Sequence, residues 1–322
     1  MNTAIHAILR SNSWPKQPRP TGWQPVLARL RSIKAVLFDI YGTLFISGAR
    51  NGVSASPTDA GTAFVEALAA VGLKCLFPGG MGSKRLALVI RGIHDEASRR
   101  GRQHPEVDIL EVWRRTLESL REDGAVERVE IGATQLRRLA VEYEWRVNPV
   151  WPMPHVLSCC RALRAHGIRM GLLSNAQFYT PELFPALFGA TAEELGFAPQ
   201  LQFYSYRFGD AKPGVRMHLA ARAALARWHI RPAETLCVGN DMRNDIVAAA
   251  KVGFRTALFA GDQRSLRWTH CPKHVETAPD LVLTDLAQLP HCMTSTRRER
   301  KRILPWHHAW WGTYASQVPP LG

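Results

Sequence analysis

A carboxylate follows a short apolar run near the start of the chain, a placement that suits ligand binding. The run Ala35–Phe38 is apolar throughout and ends at Asp39, three residues before Gly42. Four apolar residues bounded by turn chemistry predict a strand buried on both faces. Asp39 then lies at the carboxyl end of that strand, the edge at which open α/β sheets bind ligands. Gly42 permits a sharp turn, and Thr43 offers a hydroxyl to the group that Asp39 holds. An aspartate that only starts a turn is the alternative.

Three later apolar runs also end in side chains that can do chemistry. These side chains are a hydroxyl, an amide, an ammonium and two carboxylates: Ser174, Asn175, Lys212, Asp241 and Asp245. Together with Asp39, they follow the order aspartate, serine, lysine and acidic pair, each at a predicted strand end. Over about residues 34–290, this order resembles the four motifs of the haloacid dehalogenase-like hydrolases.

The resemblance implies a covalent mechanism centred on the first aspartate. Asp39 would attack the substrate and form an aspartyl intermediate that water hydrolyses. Ser174 would donate a hydrogen bond to an oxygen of the transferring group, and Asn175 would shape the turn beside it as a substrate-binding residue. Lys212 would neutralise the charge that builds up on the nucleophile. In the alternative interpretations, Ser174 begins a helix and Lys212 is a solvated loop residue.

The acidic pair adds an expected magnesium ion. In the family that the sequence resembles, Mg²⁺ would be held by the carboxylates of Asp39, Asp241 and Asp245 and by the carbonyl oxygen of Tyr41. Hard cations prefer such oxygen ligands, and the cation offsets repulsion between the carboxylates and an anionic substrate. One of the pair can instead cap the helix that follows, and the spacing favours Asp241 as the metal ligand.

Tyr41 departs from the pattern of most phosphatases of this family. They carry a second aspartate two residues after the nucleophile as general acid and base, whereas a phenol with a pKa of about 10 is a poor proton shuttle at neutral pH. The motif Asp-x-Tyr-Gly-Thr is similar to that of 2-haloacid dehalogenases, which need no metal and use an arginine near the nucleophile for the halide. The acidic pair favours a magnesium-dependent phosphatase acting on a small phosphorylated metabolite. A 2-haloacid dehalogenase is the alternative, and a catalytically weak binding protein of the same fold is a further one.

Alternating strands and helices predict an α/β fold with a Rossmann-like parallel sheet covered on both faces. The core is predicted at 34–46 and 152–290, and the helical stretch 47–151 resembles a cap domain inserted after the first motif. Such a cap shapes the substrate pocket, and Arg91 is one of its polar candidates for substrate binding. Residues 1–33 read as an irregular basic extension, with disorder expected for the first dozen, and 291–322 as a basic tail containing tryptophans.

Composition limits the function classes further. The chain has 322 residues and a net charge of +14, but the first 34 residues carry six basic and no acidic side chains. The two basic ends are therefore candidates for contact with nucleic acid or an anionic surface, while the body is only modestly charged. No apolar run is long enough to predict a membrane span. Six cysteines without framework spacing favour a reduced, cytoplasmic setting.

Overall fold

The computed structural model describes residues 2–47, 57–127, 130–268 and 277–293. Its strands are β1 (Ala35–Phe38), β2 (Phe45–Ile46), β3 (Trp151–Pro152), β4 (Arg169–Ser174), β5 (Phe197–Tyr204), β6 (Thr235–Gly239), β7 (Arg255–Phe259) and β8 (Leu281–Leu283). Its helices are α1 (Asn2–Ser11), α2 (Pro57–Ala70), α3 (Gly79–Arg99), α4 (Ile109–Glu122), α5 (Ala133–Val147), α6 (Val156–Ala165), α7 (Leu183–Phe188), α8 (Ser205–Phe208), α9 (Arg216–Ala226), α10 (Ala248–Lys251) and α11 (Leu289–Met293). A π-helical stretch, Met242–Val247, leads into α10.

Six strands form one parallel sheet in the order β5-β4-β1-β6-β7-β8. All four residues of β1 are buried, and they alternate between two apolar cores: Val36 and Phe38 face one, Ala35 and Leu37 the other. This alternation explains why an uninterrupted apolar run forms a central strand, since neither face meets water. The predicted α/β fold with a parallel sheet is confirmed.

The path of the chain places Asp39 at a crevice of this sheet. After β1 the chain builds β4 and β5 on one side, then returns to add β6 on the other side of β1. Phe38 pairs with Leu172 of β4 and with Val238 of β6, so the residues that follow all three strands meet at one edge. Ligands of open α/β sheets bind where the strand order reverses in this way.

Helices α2–α5 are inserted between β2 and β3 and pack on one another. Three aromatic side chains form the centre of this block: the Phe64 ring stacks on Trp113 at 5.4 Å between centroids, and Tyr143 meets Trp113 edge-on at 5.3 Å. The antiparallel pair of β2 and β3 holds the two ends of the insertion side by side. The domain boundaries given above stay predictions.

The amino-terminal segment differs from the expected irregular lead-in. Residues 2–11 form the helix α1, which packs against α5 and α7. Ile5, Ile8 and Leu9 are spaced as one helical face, and all three are buried. The expectation of disorder was therefore wrong, because burial of this apolar face ties the terminal segment to the rest of the chain. The predicted carboxyl-terminal tail lies, from residue 294 onward, outside the described residues.

Within the described ranges, no helix is both long and apolar enough to cross a membrane.

Candidate active site

Asp39, Ser174 and Lys212 come together at the carboxyl edge of the sheet. The Ser174 hydroxyl donates to Asp39 Oδ1 at 2.9 Å, and Lys212 Nζ donates to the same oxygen at 2.7 Å. The side chains of all three residues are almost fully buried. Among the described residues both hydrogen bonds to this carboxylate go to Oδ1, so Oδ2 is the oxygen left for a substrate. The sequence-predicted trio is thus assembled in one place.

Lys212 also joins Asp39 to the acidic segment. Its Nζ donates to Asp245 Oδ1 at 2.6 Å and to the carbonyl oxygen of Leu173 at 3.2 Å. Burial acts to lower the pKa of Lys212, but the carboxylates of Asp245 and Asp39 outweigh it and raise that pKa above its ordinary value. The lysine is therefore a fixed positive charge between two buried carboxylates.

Asp245 lies deep in the site because Gly239 leaves room for it. A methyl group on Gly239 would collide with the carboxyl group of Asp245. Burial, together with the charges of Asp39 and Asp241, raises the pKa of Asp245 against the opposing effect of Lys212. This carboxyl group therefore holds a proton more readily than an exposed aspartate does.

The two residues predicted beside the substrate have other hydrogen-bond partners. Asn175 accepts the backbone N–H of Lys212 at 2.7 Å and donates to the Lys212 carbonyl oxygen at 3.1 Å. The Thr43 hydroxyl donates to Asn240 Oδ1 at 3.2 Å, not to a group at Asp39. Asn175 thus fixes the backbone of the lysine, and Thr43 braces the turn after β1. Gly42 in that turn has a φ of 88°, which favours glycine.

The Tyr41 phenol is poorly suited to proton transfer. Its hydroxyl lies 2.9 Å from the Thr180 hydroxyl. Burial, and then the nearby carboxylates of Glu144 and Asp39, raise the pKa of Tyr41 above its ordinary value, although the bond to Thr180 acts the other way. At neutral pH the phenol is neutral and a weaker acid than free tyrosine, so it is a poor substitute for the missing aspartate.

Asp241, the favoured metal ligand, caps the helix that follows it. Its Oδ1 accepts the backbone N–H groups of Arg243 and Asn244, each at 2.9 Å, and its Oδ2 accepts the Asn244 side-chain amide at 3.0 Å. Such N-cap bonds stabilise a helix start. The geometry of Asp241 is therefore that of the helix cap named above as the alternative to a metal ligand.

The chemistry of the expected magnesium site can be tested on these contacts. Both oxygens of Asp241 are engaged in the cap, and those of Asp245 accept Lys212 Nζ and the backbone N–H of Asp241. No group of three or more His, Cys, Asp or Glu side chains in the described part of the chain is arranged to hold a metal ion. The oxygen ligands suit Mg²⁺ by type, although each oxygen of Asp241 and Asp245 already accepts a hydrogen bond, and the magnesium site stays a prediction.

Arg91, the predicted cap residue for the substrate, is exposed on α3. No hydrogen bond or ion pair connects it to Asp39, Ser174 or Lys212 in the described residues. The loop after Ser174, in contrast, is hydrogen-bonded to the segment that leads into α4. Gln177 accepts the Ile109 backbone N–H at 3.1 Å and donates to the Val107 carbonyl oxygen at 2.9 Å.

Two residues of α5 that sequence reasoning missed approach this loop. Arg137 places its guanidinium 4.0 Å from the centroid of the Phe178 ring. Glu144 accepts a hydrogen bond from Asn148 at 3.2 Å and another from Tyr179; burial nevertheless raises its pKa above the ordinary value. Their signal in the sequence was weak, since both belong to a helix rich in charged side chains that form surface ion pairs.

A family comparison matches most of the chain. The family described as haloacid dehalogenase-like hydrolase matches residues 33–253, which include every motif discussed above. No curated protein matches the chain in sequence.

Solved structures that are similar to this chain include dehalogenases and phosphatases. A 2-haloacid dehalogenase from Pseudomonas syringae is 21% identical, with a TM-score of 0.50, and the match covers 81% of this chain and 97% of that one. A predicted phosphoglycolate phosphatase from Haemophilus somnus is 15% identical, with a TM-score of 0.42 and coverages of 80% and 96%. A phosphatase from Thermococcus onnurineus is 15% identical, with a TM-score of 0.46 and coverages of 80% and 97%. At 21% identity, the similarity to the Pseudomonas syringae dehalogenase supports the fold alone.

Proposed function

The chain belongs to the haloacid dehalogenase-like hydrolases, and from that premise we propose that it hydrolyses a small anionic substrate through a covalent ester on Asp39. The observation that carries this proposal is the placement of Lys212 Nζ 2.7 Å from Asp39 Oδ1, with Ser174 on the same oxygen. These two donors orient the carboxylate and leave Oδ2 toward the substrate. The lysine also stabilises negative charge that develops as the bond to the leaving group breaks.

The state of Tyr41 selects among reactions of this kind. An alkoxide leaving from a phosphate ester needs a proton, and the residue at this position cannot readily supply one. A halide leaves as a stable anion and needs no proton. The proposal is therefore a 2-haloacid dehalogenase, the function that ranked second on sequence, because Asp241 is engaged in a helix cap and Lys212 supplies the cation between the carboxylates.

The bonds of the proposed reaction balance without a cofactor. Asp39 Oδ2 forms a bond to carbon 2 of the substrate while the carbon–halogen bond breaks, and the halide departs with the bonding electron pair. Water then attacks the carbonyl carbon of the ester, which releases a 2-hydroxy acid and regenerates the Asp39 carboxylate. We assign Asp245, joined to the same lysine, as the base that takes one proton of that water and passes it to the oxygen on carbon 2 as the ester bond breaks; the second proton is released to solvent as Asp39 returns to the carboxylate.

A magnesium-dependent phosphatase is the second candidate. It is favoured by the charges of Asp39 and Asp241, which add to burial in raising the pKa of Asp245 and would be offset by a divalent cation. It ranks second because Asp241 would have to give up its cap, a contact worth about 1 kcal/mol in typical helices.

The test is product release from purified protein. We expect chloride release from 2-chloropropionate in the presence of excess chelator, loss of that activity in Asp39→Asn, and near-normal activity in Tyr41→Phe. Tyr41→Phe removes the phenol hydroxyl. If the reaction needed that hydroxyl as a proton donor, this variant would be inactive. Phosphate release from an aryl phosphate that requires added Mg²⁺, without chloride release, would instead establish the second candidate.

A further inference from the structure

Arg137 is a cation of the inserted helices that contacts the loop after Ser174 and has no acidic partner among the described residues. Its Nε–H is closed off from solvent and has no hydrogen-bond partner within the described residues. Neighbouring arginines of α5 differ: Arg138 pairs with Glu142 at 3.3 Å, and Arg146 pairs with Glu142 at 2.5 Å and with Glu66 at 3.1 Å. The positions three and four residues from Arg137 along α5 hold no acid, so the helix offers it no partner.

The ring under Arg137 belongs to the loop that borders Asp39. Phe178 lies in the stretch between Ser174, which donates to Asp39, and Thr180, which contacts the Tyr41 hydroxyl. Both ends of this stretch are therefore fixed next to the first motif. The middle of the stretch is fixed too, because Gln177 is hydrogen-bonded to the segment before α4. The guanidinium thus sits on a rigid support at the border of the site.

An arginine stacked on an aromatic face keeps the edge of its guanidinium free for hydrogen bonds. Stacking satisfies the planar face through a cation–π contact and leaves a fork of N–H donors in the plane. That fork matches two oxygens of a carboxylate or a phosphate. A partly buried, unpaired cation of this kind is stabilised when an anionic ligand brings the missing acceptors.

We propose that Arg137 is a substrate-binding residue that holds the oxyanion group of the substrate through its guanidinium edge. The inference rests on the proposed function, in that the substrate is a small anion whose reacting carbon or phosphorus faces Asp39. It replaces Arg91 as the cation that the inserted helices contribute. The common ligand chemistry is an oxyanion with two adjacent oxygens, carried by a carboxylate or by a phosphate.

The kinetic test compares Arg137→Gln with Arg138→Gln, a matched control one residue away that is exposed and paired with Glu142. With 2-chloropropionate or an aryl phosphate, whichever the protein turns over, the Arg137→Gln change should raise KM by about 10- to 100-fold, the loss typical of a charged hydrogen-bond pair, and leave kcat within about threefold. Arg137→Lys should give an intermediate KM, because it keeps the charge and loses the fork. An unchanged KM in Arg137→Gln would overturn the inference while leaving the proposed function intact.

A binding test does not depend on turnover. Lactate and inorganic phosphate, added separately, should raise the melting temperature of the wild type and of Arg138→Gln, but not that of Arg137→Gln. A response to lactate alone identifies a carboxylate as the ligand group, and a response to phosphate alone identifies a phosphate. If the wild type hydrolyses neither substrate yet shows this Arg137-dependent shift, the proposed function fails and the inference holds. If the wild type shows no shift with either anion, or if Arg137→Gln shifts equally, the inference fails.

Discussion

Lys212 determines how two carboxylates can share one buried site. Its ammonium group lies 2.7 Å from Asp39 and 2.6 Å from Asp245, and its side chain is only 3% exposed. Two buried carboxylates that both contact one ammonium group would repel each other strongly if that cation were absent. From sequence alone the acidic pair indicated a metal for this purpose, but the lysine already supplies a positive charge at that point.

Removing this charge should therefore cost stability as well as activity. We expect Lys212→Met, which preserves the shape of the side chain, to lower the free energy of unfolding by about 3–5 kcal/mol, because it leaves buried charges uncompensated. Adding Asp245→Asn should restore part of the loss, since one of those charges then disappears. Urea unfolding measures both effects. Lys74→Met is the control, because the Lys74 side chain is 80% exposed. A Lys212→Met protein as stable as this control would contradict the claim that Lys212 compensates the two buried carboxylates.

The site residues show what the sequence could and could not provide. Asp39, Ser174 and Lys212 were predictable, because each ends an apolar run and parallel strands bring such ends to one edge. The hydrogen bonds of Asn175, Thr43 and Asp241 were not, because a polar side chain in a turn can bond backbone, side chain or ligand equally well. Arg137 was missed because its environment is created by Phe178, a residue 41 positions away in the chain.

At the scale of elements, α1 is part of the support of the inserted helices. It packs on both α5 and α7. Just beyond the end of α1, the Ser13 hydroxyl accepts a hydrogen bond from Trp145 of α5 at 3.2 Å. His6 adds a contact of 2.6 Å to Glu182, next to α7. The amino-terminal segment thus bridges the insertion and the sheet-bearing part of the chain.

A single buried leucine tests whether α1 is docked. Leu9 is fully buried, so Leu9→Ala should lower the free energy of unfolding by about 2–5 kcal/mol, the range found for large-to-small changes in cores. Arg10→Ala, at the exposed neighbouring position, should have little effect on chemical denaturation. Equal stabilities of the two variants would show that the helix is not packed against the body.

The elements also differ in how well local sequence specifies them. β1 was predictable from four residues, because a run that is apolar on both faces has few other places to go. The helix α1 carries its signal in the spacing of Ile5, Ile8 and Leu9, which basic and proline-rich surroundings obscured. The pairing of β2 with β3 was beyond local reasoning, since each strand has only two residues and its partner lies more than 100 residues away.

At the scale of the whole molecule, His218 links stability to pH. It lies on α9, is only 1% exposed, and its Nδ1 has no hydrogen-bond partner among the described residues. Burial, helped by the charge of Lys212, lowers its pKa from 6.5 to about 3, although a backbone bond at Gly214 acts the other way. The unfolded chain therefore takes up a proton near pH 6.5 that the folded chain refuses until about pH 3.

The sign of the effect follows from this difference in proton binding. The His218 contribution to the free energy of unfolding is complete above the pKa of the unfolded chain and is lost as the pH falls. The loss reaches about 2 kcal/mol by about pH 5. Glu106 and Glu144, whose pKa values are raised mainly by burial, act in the opposite direction. The measurement is therefore the difference between wild type and His218→Gln in urea unfolding from neutral to acidic pH. The difference should shrink on acidification, whereas the exposed-site control His229→Asn should track the wild type; a constant difference would contradict the prediction.

The most direct test of the covalent account follows the oxygen atoms. A single turnover of 2-chloropropionate, with the protein in excess and in heavy-oxygen water, should place one solvent oxygen on Asp39, because water attacks the carbonyl carbon of the ester. Mass spectrometry of the peptide that carries Asp39 reads this label, with the Asp39→Asn protein as the blank. Label in the product alone, with none on Asp39, would mean that water attacks the substrate directly and would contradict the proposed mechanism.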